Sequence, residues 1–108
     1  MLSGLAPGEA VGSAILIPEL LIKPTRGRRE QEVTALLRLL SQLLLQELTV
    51  DLGRRAVQIG ATYGLKTADA IHLATAVEAR ANRFLTNNRR DFKPEVISEI
   101  EVVFPESL

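Results

Sequence analysis

Residues 67–92 read TADAIHLATAVEARANRFLTNNRRDF, and this stretch decides the fold. From Ala68 to Ala81 it is rich in Ala and free of Gly and Pro, which favours a helix, and Thr67 before it is of a type that caps helices. Ile71, Ala74, Val77 and Ala81 recur at helical spacing as one apolar stripe, and the small side chains around it admit a close neighbour. Arg83 to Thr86 then reads as a short strand, left by the polar run Asn87 to Asp91. Asp69 falls in the first turn of the helix, where peptide dipoles favour negative charge. Asp91 falls just past the carboxyl end of the strand, where sites form in open α/β sheets. Two carboxylates distant in sequence are thereby expected over one crevice.

Working outward, Leu48 to Val50 reads as a strand, and Asp51 as the cap of a helix that runs to about Tyr63 and closes at Gly64. Gln31 to Gln46 reads as an amphipathic helix with Val33, Leu36, Leu37, Leu40 and Leu44 on one face. Leu39, Leu43 and Leu45 widen that face, for the core or for a second copy of the chain. Ala14 to Ile22 is nearly all apolar. Pro18 within it favours a helix starting near Ile17, and Lys23-Pro24 is expected to end that helix. Glu9 to Gly12 is expected as a strand with Ser13 capping the next turn, Met1 to Gly8 as a flexible start, and Ile100 to Phe104 as a last strand. Strands alternating with helices imply an α/β fold with a parallel sheet.

The 108 residues suffice for one domain over 1–108 and are too few for two. With 46% hydrophobic and 24% charged residues the chain is of ordinary globular composition, which excludes disordered and fibrous classes. No apolar run approaches the roughly 20 residues of a membrane span, and no signal-peptide pattern follows Met1, so a cytoplasmic location is expected. There is no cysteine and a single histidine, His72, which leaves oxygen as the plentiful metal donor. The net charge of zero argues against binding nucleic acid by bulk electrostatics alone.

TADAIHLATA followed by RFLTNNRRDF resembles the second half of PIN domains, the metal-dependent nuclease fold of VapC-like toxins. In that family an Asp opens the penultimate helix in a D-A-x-x-x-A setting, matched by Asp69, Ala70 and Ala74. An acidic or amide cluster follows the next strand in forms such as T-x-N-x-x-D-F, matched by Thr86, Asn88, Asp91 and Phe92. The resemblance covers about Gly8 to Phe104, and SAILIPELLIKP resembles the small-residue setting in which the family puts a further acid, here Glu19. It implies a three-layer α/β/α fold and Mg2+- or Mn2+-dependent cleavage of RNA. Glu19, Asp69 and Asp91 would be the metal and catalytic acids, Asn88 a further metal ligand, and Thr86, Arg89 and Arg90 the substrate contacts. It also implies an antitoxin protein as partner, and the excess leucines of the Gln31 to Gln46 helix suggest a homodimer.

Each of these residues also has a plainer use. Glu19 and Asp69 suit the first turns of helices, Asp91 suits a turn, and Arg89 and Arg90 suit solvent. His72 reads as a packed or hydrogen-bonded residue. The family's opening strand, with its first catalytic Asp, has no counterpart: no aspartate precedes Asp51. An N-terminally truncated sheet is therefore expected, its gap closed by a longer gene product, by re-pairing of its own strands or by a second chain. The alternative function is a catalytically inactive remnant serving dimerisation or protein interaction.

Overall fold

The computed structural model describes residues 2–3 and 10–104. Five short strands form one sheet: β1 (Leu2–Ser3), β2 (Val11–Ser13), β3 (Leu44–Gln46), β4 (Arg83–Leu85) and β5 (Glu101–Val103), in the order β3-β2-β1-β4-β5. Four helices connect them: α1 (Leu16–Arg26), α2 (Glu30–Ser41), α3 (Val50–Tyr63) and α4 (Thr67–Glu78). β2 pairs with β3 and β4 with β5 in parallel, so the α/β class read from the sequence stands. Between those parallel pairs lies β1, antiparallel to both neighbours, with Ser3 opposite Val11 and Phe84. Residues expected as a flexible start thus pair the inner edges of β2 and β4, whose amides and carbonyls would otherwise be buried without partners.

The core lies between α3, α4, the sheet and the segment after β4. On α3, Leu52, Ala56 and Ile59 recur at helical spacing and are buried. On α4 burial runs almost all round, taking in Ala70, His72, Leu73, Ala74, Thr75 and Ala76, because this helix packs on α3 and also on β2, β1 and β4. The stripe Ile71, Ala74, Val77 and Ala81 does pack on the core, Ala74 fully buried and the others partly, but burial extends well beyond it. The small residues do admit a neighbour, since a Cβ added at Gly60 of α3 would lie 3.1 Å from the Cβ of Ala70. Phe84 and Phe92 are buried with ring centroids 5.0 Å apart and planes tilted by 54°, joining β4 to the loop after it.

Several boundaries differ from the sequence reading. Leu44 to Gln46, expected at the end of a long helix, forms β3 alongside β2, since a short apolar run serves either state and the ladder decides. Leu48 to Val50 is not a strand. Thr49 caps α3 instead of Asp51, its Oγ1 accepting from Leu52 N–H at 3.1 Å. Gly64 ends α3 in the left-handed conformation, at φ 66°, as expected. Thr67 is the first residue of α4 and not its cap.

At the other end, α1 continues through Pro24 to Arg26. Pro24 sits in the last turn, and its carbonyl and that of Lys23 accept from Arg29 and Gly27. β2 covers Val11–Ser13 where Glu9 to Gly12 was expected; Glu9 lies outside the described residues. Ser13 caps the following turn as read, accepting from Ile15 N–H at 3.2 Å. Gly12 admits the close return of α1, because a Cβ there would lie 2.7 Å from Leu16 Cδ1.

Candidate metal centre

Three elements bring polar side chains to the carboxyl end of β4. α4 supplies Asp69 from its first turn, β4 runs into Thr86, and the turn beyond it carries Asn88 and Asp91. Thr86 is buried, and its Oγ1 accepts from the backbone N–H of Asn88 at 3.0 Å. Asn88 Oδ1 in turn accepts from the backbone N–H of Asp91 at 3.1 Å, an Asx-type closure of the turn. That bond fixes which end of the amide points inward. Asn88 Nδ2 then donates to Asp69 Oδ2 at 3.2 Å and to Asp91 Oδ2 at 3.0 Å.

The two carboxylates are half-buried and meet on one amide. Like charges brought this close repel, and the amide N–H groups offset that with partial positive charge. A hard cation would act in the same sense. Magnesium and manganese commonly keep several waters and use one or two carboxylates, so the oxygen donors Asp69 and Asp91 fit such an ion. Asn88 acts here as a clamp: its carbonyl oxygen accepts from the Asp91 backbone and its amide nitrogen donates to both carboxylates.

Glu19 stands apart from this cluster. It lies in the first turn of α1, and Oε1 is 2.5 Å from His72 Nε2. Among the described residues no three His, Cys, Asp or Glu side chains gather closely enough to hold one ion. The three acids are therefore split: Asp69 and Asp91 share Asn88, and Glu19 is held by His72. Arg89 sets its guanidinium 4.1 Å from the centre of the Phe104 ring, and Arg90 is exposed. Thr86 bonds within the turn and is too buried to meet a substrate unaided. His72 is packed and hydrogen-bonded as read, but its partner was missed; the signal was its place three residues after Asp69, on the same face of the helix.

The fold is thus an α/β domain with paired carboxylates at the carboxyl end of a strand, the place where ligands bind in open α/β sheets. The sequence profile of the PIN domain matches residues 2–94, and the chain belongs to the PIN domain family. Among solved structures it is similar to a chain of a toxin-antitoxin complex from Klebsiella pneumoniae, with 28% sequence identity and a TM-score of 0.64, over 82% of this chain and 72% of that one. No curated protein matches. No helix among the described residues is long and apolar enough to cross a membrane.

Proposed function

We propose that this chain is a divalent-metal-dependent endoribonuclease and the toxin of a toxin-antitoxin pair. The observation that carries the reading is the meeting of Asp69 and Asp91 on the amide of Asn88. Family membership and the toxin-antitoxin neighbour support it. Asp69 and Asp91 would hold Mg2+ or Mn2+, and such an ion would neutralise charge on phosphate oxygens and activate water. Glu19, held by His72, would orient the attacking water. Thr86 keeps the turn in shape, and Arg90, together with Arg89 beside Phe104, attracts the phosphate backbone.

The test is Mn2+ binding by calorimetry on the wild-type chain and on Asp69→Asn, followed by RNA cleavage. Saturable binding and Mn2+-dependent cleavage, both lost in the variant, are expected. A folded wild-type chain that binds no Mn2+ overturns the reading.

A second reading, a non-catalytic interaction module, is favoured by one observation. Ile17 and Ile22 of α1, Leu37 and Leu39 of α2, and Leu44 of β3 are all exposed. Exposed apolar side chains of this size suit a partner protein, either an antitoxin or a second copy of the chain. Sedimentation analysis of the purified chain distinguishes a homodimer from a monomer awaiting its antitoxin.

A further inference from the structure

Among the described residues, His72 carries a buried side-chain nitrogen without a hydrogen-bond partner. It is buried, at 2% exposure, in the middle of α4, and Nε2–H donates to Glu19 Oε1. Its other ring nitrogen, Nδ1, is buried and has no hydrogen-bond partner among the described residues. A leucine would fill similar space without an unpartnered polar atom, so packing alone does not account for an imidazole here. What the ring adds is an N–H in a fixed direction. Glu19 needs one, because its side chain is 33% exposed and a glutamate so placed would otherwise sample many rotamers. Asp69 and His72 are three residues apart on α4 and share a face.

We propose that His72 is a positioning residue that fixes the Glu19 carboxylate on the face of α4 that carries Asp69. It touches neither substrate nor ion and acts through Glu19. This inference rests on the proposed function, in which Glu19 serves the site centred on Asp69 and Asp91. Acceptance by Glu19 places a proton on Nε2. The pairing crosses 53 residues of sequence, so it locks α1 to α4 at the edge of the site.

The experiment is Mn2+ titration by calorimetry on the full chain, with folding checked by circular dichroism. The variants are Glu19→Gln, His72→Leu, His72→Gln, His72→Asn and the double variant of Glu19→Gln with His72→Leu. A glutamine amide reaches the position of Nε2, whereas an asparagine amide reaches only that of Nδ1. Expected are affinity losses of about tenfold or more in His72→Leu and His72→Asn, the size usual for a residue that orients a metal-site group. His72→Gln retains near-wild-type affinity. The double variant binds no more weakly than Glu19→Gln alone, because His72 works only through that carboxylate.

Should His72→Leu fail to fold, the comparison of Gln with Asn at position 72 carries the test. Equal affinity for those two variants, or additive losses in the double variant, overturns the proposal. An unchanged Glu19→Gln overturns it too, while a loss in Asp69→Asn leaves the metal site standing. A wild-type chain that takes up no Mn2+ overturns both readings together.

Discussion

The side-chain amide of Asn88 donates to Asp69 Oδ2 at 3.2 Å, tying the turn after β4 to the first turn of α4. The same nitrogen reaches Asp91, so removing it leaves two half-buried carboxylates facing each other. Without metal, Asn88→Ala is expected to lower stability by about 1–3 kcal/mol, the range for a lost hydrogen bond to a charged partner. Urea denaturation in EDTA measures this, and an unchanged midpoint contradicts the clamp.

Asn88→Asp should separate the clamp from the ion. A third carboxylate in place of the amide adds repulsion in the metal-free chain, and a bound divalent cation relieves it. The variant is expected to melt below wild type in EDTA and to gain more than wild type from added Mn2+. Equal Mn2+-induced shifts in the two proteins would count against an ion between Asp69 and Asp91.

Two glycines of α3 should respond with opposite signs. Around a Cβ added at Gly53 nothing lies within 4 Å, so Gly53→Ala gains only helix propensity and is expected to stabilise by about 0.5–1 kcal/mol. At Gly60 the same methyl group would meet Ala70 at 3.1 Å inside the α3–α4 contact. Overpacking there costs roughly 1–3 kcal/mol and exceeds the propensity gain, so Gly60→Ala is expected to destabilise. Thermal melts of the two variants decide the matter.

The start of α3 offers a sharper comparison. Thr49→Ala removes the hydroxyl that accepts from Leu52 N–H and is expected to cost about 1 kcal/mol. Asp51→Ala removes only an exposed pair with Arg54, 3.4 Å apart, and should change stability by no more than about 0.5 kcal/mol. A larger effect at Asp51 than at Thr49 would return the cap to the residue expected from sequence.

Phe84 and Phe92 join β4 to the turn that carries Asn88 and Asp91. Phe92→Ala should cost about 3–5 kcal/mol, as for other buried aromatics. Because Asp91 precedes Phe92 directly, Mn2+ affinity should fall in whatever fraction of the chain remains folded. Calorimetry at low temperature, where that fraction is largest, tests both expectations.

Much of the molecule was legible from residue order because its causes are local. The Ala-rich run after Thr67 makes α4, the left-handed Gly64 ends α3, and the T-x-N-x-x-D-F spacing closes the turn that brings Asn88 to Asp91. Helix preference, turn chemistry and capping act over a few residues, so the sequence alone determined α4, the end of α3 and the strand that follows α4.

Tertiary structure decided what depends on partners distant in the chain. Leu44 to Gln46 became a strand because β2 offered a ladder, and Leu2 to Ser3 became one because β2 and β4 left a gap that two antiparallel edges filled. Glu19 turned to His72 because the fold brings the first turn of α1 within reach of α4, a contact that neither helix encodes by itself. Hydrogen-bond ladders and buried polar pairs are satisfied between segments, and the energy that selects them exists only once the chain has brought those segments together.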